Sequence, residues 1–130
     1  MSRLADAGVN AGVALAPVVP GITDGRANIE AVVRAAADHG ARFLWSSVLY
    51  LKEGTKDHFL DYVASEHPTL RHEYRRMYPG AYAPDRVQRR VRSTVDAAMR
   101  GRGLAPRPPR RRPEPVQLRM EPMISERPAR

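Results

Sequence analysis

The side chains best suited to metal binding or acid–base chemistry are His39, His58, His67 and His72, together with the carboxylates Asp57 and Asp61. Their spacing argues against both uses. His67 and His72 stand five apart in "HPTLRHEY", which is neither of the intervals that place two ligands on one helix face, and no HExxH occurs. His39 beside Gly40 reads as a cation at a helix C-terminus, where the dipole favours it. Asp57 and Asp61 share a helix face, but two carboxylates alone read as solvated charge rather than an acid–base pair. The sequence has no cysteine. That excludes disulfides, thiolate zinc sites, thiol nucleophiles, and a cysteine-ligated iron–sulfur cluster built by this chain alone. No metal site and no catalytic residue is expected.

Ligand binding by backbone and apolar walls is the chemistry that remains. In parallel α/β sheets it occurs at the carboxyl ends of the strands. Two segments qualify, Ala16 to Asp24 ("APVVPGITD") and Ser46 to Lys56 ("SSVLYLKEGTK"). Pro17 and Pro20 stiffen the first, Gly21 permits close backbone approach, and Val18 and Val19 offer an apolar wall. The same residues also fit a rigid turn with no ligand role, and Asp24 fits a helix N-cap better than an acid. Trp45, Tyr50, Tyr74, Tyr78 and Tyr82 read as core or capping aromatics, with base stacking a lesser alternative.

The net charge is +8. The first seventy residues are slightly acidic, so the positive excess lies in the C-terminal half and is almost all Arg. Such asymmetry suits a polyanionic partner as well as a solvated surface. Arg86, Arg89, Arg90, Arg92 and Arg100 decorate one helix, and Arg110, Arg111 and Arg112 lie in "PRPPRRRPEP". These are the candidate phosphate contacts. The Pro/Arg segment reads as a disordered tail, with a polyproline II ligand or a nucleic-acid clamp as alternatives.

The elements that must position these groups follow from periodicity. Ser2 to Ala7 reads as the last turns of a helix closed by Gly8, so the chain is expected to start in the middle of a structural unit. Val9 to Val19 is nearly unbroken apolar sequence, the habit of a strand buried on both faces. A helix then runs from an Asp24 cap to about His39, with Ile29, Val32, Val33, Ala36 and Ala37 on one face. Ala41 to Leu51 is a second buried strand. Strand, turn, helix and strand make a βαβ unit with parallel strands. Beyond Gly54 the pattern is helical without further strands: Lys56 to Glu66, a segment opened by Pro68, a "YPGAYAP" turn, and a helix from Pro84 to about Arg100. The expected organisation is therefore 1–55 as a βαβ unit, 56–100 as a helical extension, and 101–130 as a basic tail.

"LADAGVNAGVALAPVVPGITD" followed by "AAADHGARFLWSSVLYL" resembles strands five and six of radical SAM proteins, and is most similar to the group of spore photoproduct lyase-like, DNA repair photolyase-type proteins. The resemblance runs through "F…YV…HP…Y…YPG", covering residues 1 to about 90. It implies an α/β fold that is the C-terminal part of a partial (β/α)6 barrel, as in TIM-barrel relatives. The family's loose G-x-I-x-G-x-x-E pattern falls on Pro17 to Asp24. Gly21 matches, Val19 and Asp24 substitute conservatively, and Pro17 departs from the first Gly. The resemblance thus implies Val19, Gly21 and Asp24, with strand-six positions Val48, Leu49 and Leu51, as part of the adenine pocket for S-adenosylmethionine. It also implies a lyase-like enzyme carrying a 4Fe-4S cluster whose C-x-x-x-C-x-x-C ligands are absent here. The expected partner is accordingly a missing N-terminal barrel half or a full-length parent, and this chain by itself is expected to be inactive. A basic nucleic-acid-binding or scaffolding module without catalysis is the alternative reading.

Nothing resembles a signal peptide, and no stretch approaches the roughly 20 apolar residues of a membrane span. A cytoplasmic setting without membrane contact is expected. The part able to fold, of roughly a hundred residues, buries only about 60–70% of its unfolded surface, so marginal stability is expected of the chain alone.

Overall fold

The two apolar runs become adjacent parallel strands because the helix between them has a single apolar face to lay across both. In the computed structural model, which describes residues 1–108, β1 spans Gly12–Val18 and β2 spans Phe43–Val48. They pair in parallel from Gly12↔Phe43 to Leu15↔Ser46, slip, and pair again at Val18↔Val48. Helix α2, Arg26–Asp38, connects them and buries Ile29, Val33 and Ala36. A short α1, Ser2–Asp6, precedes β1 and ends at Gly8, whose φ of 74° is the left-handed conformation a glycine accepts at little cost. The βαβ unit is as the periodicity predicted.

The helices beyond β2 are α3 (Lys56–Glu66), a 3-10 turn (Pro68–Leu70), α4 (Arg71–Met77) and α5 (Asp85–Met99). Helix α5 presents Val87, Val91, Val95, Ala98 and Met99 as one buried stripe. Val91, Val95, Ala98 and Met99 join Val18, Ile29, Val33 and Leu44 in the main core. Helix α5 therefore covers the βαβ unit itself, and the expected division at residue 55 is not a boundary in the packing. A second cluster gathers Leu51, Val63, Tyr74, Met77, Tyr78 and Val87 under α3 and α4, at the carboxyl ends of the strands.

Three expectations are corrected. A third strand, β3 (Ala105–Pro106), pairs in parallel with β2 at Phe43 and Leu44, giving the order β1-β2-β3. Residues 101–108 therefore belong to the fold rather than to a disordered tail: glycines 101 and 103, both at positive φ, turn the chain from α5 back to the sheet edge. Helix α2 begins at Arg26 with Gly25 at the cap position, so Asp24 is not its N-cap. The strands are also shorter than the apolar runs that predicted them, because the ends of those runs turn into loops. The architecture is mixed α/β with a small parallel sheet.

Among the described residues, no helix covers one face of that sheet. Val13 and Leu15 pack against the main core, so alternation turns Ala14 and Ala16 to the opposite side, where both are exposed. Trp45, the register partner of Ala14, lies on that same side, with the Arg107 guanidinium 5.3 Å from its ring centroid.

Candidate ligand site at the strand ends

The loop between β1 and α2 is held by its own side chains. The Val19 N–H donates to Thr23 Oγ1 at 2.8 Å, and the Val19 carbonyl accepts from the N–H groups of Ile22 and Thr23. Gly21, at φ 75°, donates its N–H to Asp24 Oδ1 at 2.7 Å. The other Asp24 oxygen accepts from Arg90 Nη2 of α5, closing an ion pair in which the carboxylate is 12% exposed and the guanidinium 63%. Asp24 is thus a clasp that fixes the loop's turn and ties it to α5. It satisfies one donor of the loop and one cation of the helix, which are the requirements of a carboxylate withdrawn from water.

Tyr74 of α4 and Tyr78, the residue just past its end, hold the strand ends from the other side. The Tyr74 hydroxyl donates to the Pro20 carbonyl, and the Tyr78 hydroxyl donates to the Leu49 carbonyl at 3.0 Å. The two rings stack, 5.8 Å between centroids and 10° between planes. Burial pushes both phenols upward, Tyr78 to about 12 and Tyr74 further still, with the neighbouring Tyr78, Asp24 and Glu73 adding to the rise at Tyr74. Both hydroxyls therefore stay protonated and donate at any physiological pH.

The expected site residues consequently have these surroundings. Val19 is half-buried against the second cluster, and Gly21 is exposed with Leu70 beside it: a methyl at position 21 would lie 3.3 Å from Leu70 Cδ1. Val48 touches both clusters. Leu49 donates its N–H to Val18 O and accepts at its carbonyl from Tyr78. Leu51 is buried, and its N–H donates to Ala81 O. Val18 and Val48 are register partners, so the two strand ends lie side by side and bring Val19 and Val48 to the carboxyl end of the sheet. The close approach at Gly21 serves Leu70, and the backbone donors at Leu49 and Leu51 already serve the fold. What remains for a ligand is apolar side-chain surface and the cleft space nearby. A cleft of about 350 Å3 lies at the carboxyl end of β2 between Tyr50–Glu53 and Pro79–Ala81. Lys56 lines it, with Nζ donating to the carbonyls of Pro79 and Gly80. That volume falls at the lower end of small-molecule sites, about 300–1,000 Å3.

The basic residues separate. Arg90 is committed to Asp24. Arg86 shares a surface recess with Glu73 and Arg76, and Arg89 is exposed. Arg110, Arg111 and Arg112 lie outside the described residues. Tyr50 and Tyr82, joined by an antiparallel bridge, form an exposed pair with centroids 4.7 Å apart, beside a cleft of about 250 Å3 that Arg92 also lines. The histidines are dispersed: His39 caps α2 with Nδ1 3.0 Å from Ser2 Oγ, and His67 meets the edge of Tyr62. Among the described residues no three His, Cys, Asp or Glu side chains gather as metal ligands would. Also among them, no helix is long and apolar enough to cross a membrane.

Sequence reasoning missed the two tyrosine straps and the Asp24–Arg90 clasp. Their partners are separated by 54, 29 and 66 residues, and no local periodicity records a contact of that range.

Comparison with known proteins finds no matching family model. Uncharacterized proteins of Mycobacterium bovis and of two Mycobacterium tuberculosis strains are each 31% identical over 90 residues, covering 68% of this chain and 26% of theirs. The chain thus spans about a quarter of the length of the curated relatives it matches. No solved structure matches.

Proposed function

We propose that this chain is a C-terminal portion of a radical SAM enzyme and supplies part of the apolar wall against which the adenine of S-adenosylmethionine packs. The observation that carries the reading is the side-by-side placement of two parallel strand ends, with Val19 and Val48 at their carboxyl end and a glycine-containing turn fixed beside them. Carboxyl ends of adjacent parallel strands are where such folds bind nucleoside-containing ligands. S-adenosylmethionine would supply radical chemistry that belongs to the cofactor and not to this chain's residues. The residues here do not fit the cluster, because there is no cysteine to hold it. This chain's role is to position: Asp24 and Arg90 lock the loop, Tyr74 and Tyr78 fix the strand ends, and Val19 and Val48 exclude water from one side of the adenine. The substrate class suggested by the resemblance is nucleic acid.

The test is equilibrium binding of S-adenosylmethionine to the chain in complex with a polypeptide bearing a C-x-x-x-C-x-x-C motif. Val19→Asp is expected to weaken binding at least tenfold, while Arg89→Ala leaves it unchanged. Equal affinity for Val19→Asp and the parent would sink the reading, as would coding DNA upstream that lacks any in-frame motif of that kind together with a chain that copurifies with no such polypeptide.

The exposed Tyr50–Tyr82 pair next to Arg92 favours a second reading, a basic nucleic-acid-binding module without catalysis. Stacking on such rings is tolerant of base identity. Phosphate contacts would make that binding fall steeply between about 50 and 200 mM salt. Affinity for a single-stranded oligonucleotide that does not change over this range would count against it.

A further inference from the structure

Where α5 packs against β2, a cleft of about 410 Å3 opens between them. Leu44, Val95 and Met99, all buried, give it an apolar floor, with the half-buried Trp45 beside them. Ser46, Arg92 and Asp96 supply its polar side. Among the described residues Arg92 and Arg107 have no carboxylate partner, and Arg107 lies over the Trp45 ring. Two guanidinium groups against the single carboxylate of Asp96 leave the cleft positive. The remaining wall is Pro106 of β3 and Arg107 after it, and that wall is lightly held. β3 is two residues long, both exposed, and Pro106 has no N–H to donate. The Ala105 N–H donates to the Arg42 carbonyl at 3.0 Å, and Leu104 packs against the main core. Gly101 and Gly103 precede this strand at φ 74° and 70°. A Cβ on either would meet nothing within 4 Å, so glycine supplies backbone freedom there rather than room. A second cleft, of about 370 Å3, borders Pro106 and Leu104 next to the glycine turn. A short element with few buried contacts opens at lower free energy than the sheet it leans on.

We propose that the cleft between β2 and α5 binds a small aromatic anion, and that residues 101–107 are the hinged lid that closes over it. The lining specifies the ligand. Met99 offers a polarizable, adaptable thioether that makes favourable contacts with aromatic rings. Trp45 adds a second aromatic surface. Arg92 sets the charge, because its planar fork matches a carboxylate, phosphate or sulfonate through two hydrogen bonds. The apolar floor beside it strengthens such a bond relative to open water. Arg107 rides on the lid, so closure brings a second guanidinium toward the same anion and opening carries it away. The volume suits a compact ligand, toward the lower end of the range of about 300–1,000 Å3. This site requires neither the adenine wall at Val19 nor the exposed Tyr50–Tyr82 pair, and each can fail without the other.

The test uses the full 130-residue chain and two fluorescent probes, anilinonaphthalene sulfonate and phenylnaphthylamine, the same molecule without its sulfonate. Trp45 is the single tryptophan, so its emission reports on this cleft alone. The sulfonate is expected to bind saturably, one per chain, quenching Trp45 and binding at least tenfold tighter than the uncharged probe. Bound sulfonate should slow amide exchange at Ala105 at least threefold. Arg92→Ala should weaken it at least tenfold, whereas Arg89→Ala, on the same helix, binds as the parent does. Gly103→Ala, which strains the closed lid, should speed exchange at Ala105 and weaken binding, with the circular dichroism unchanged. Val19→Asp and Tyr82→Ala should both bind as the parent does, which separates this site from the strand ends and from the tyrosine pair. The proposal is overturned if the two probes bind equally, if Arg92→Ala binds normally, or if binding leaves Trp45 emission and Ala105 exchange unchanged.

Discussion

Among single residues, Asp24 and Tyr74 do more than their types announce. Asp24 joins a loop N–H to an arginine of a distant helix, so removing either end has different consequences. Arg90→Ala should cost under about 1 kcal/mol, because the guanidinium is largely exposed and exposed ion pairs contribute little. Asp24→Ala should cost more, by about a further 0.5–1.5 kcal/mol, since it also removes the hydrogen bond from the exposed Gly21 N–H; urea melts of the two variants measure the difference. Tyr74→Phe removes the hydroxyl bound to the Pro20 carbonyl and should cost about 1–3 kcal/mol. The raised phenols give a pH signature whose direction is fixed. In the unfolded chain tyrosine ionises near pH 10, whereas in the folded chain Tyr78 holds its proton to about 12. The stabilisation is therefore complete below about pH 10 and is lost as pH rises from there through 12, by at most about 1.4 kcal/mol per pH unit for each tyrosine. Chemical denaturation between pH 9 and 12 should show this decline, and Tyr78→Phe should flatten it.

At the level of elements, α5 binds the two core clusters together, with Val87 in one and Val91, Val95, Ala98 and Met99 in the other. Leu44, fully enclosed between β1 and α5's cluster, should cost about 2–5 kcal/mol on change to Ala. In so small a fold that loss is expected to abolish the cooperative thermal transition, since total stabilities are only about 5–15 kcal/mol. The loop after β1 should respond to Gly21→Ala through backbone strain at φ 75° and through contact with Leu70. A loss of about 1 kcal/mol or more is expected, of which Leu70→Ala recovers only the contact part. The helix stripes and apolar runs that built these elements were legible because 3.6-residue and continuous apolar patterns are local. The third strand was not: two residues, one of them Pro, carry no strand period, and they pair only because the Gly101–Gly103 turn returns the chain to β2.

For the molecule as a whole, local sequence determined the βαβ unit and the buried faces of α2 and α5. Those follow from residue types and short-range spacing, which act before any long-range contact exists. Tertiary structure alone decided that Asp24 pairs with Arg90 instead of capping α2, that Tyr74 and Tyr78 seal the carbonyls of Pro20 and Leu49, and that residues 101–108 join the sheet. Each of these depends on groups brought together across tens of residues by burial of the helix faces, and a side chain's partner is set by that geometry rather than by its neighbours in sequence.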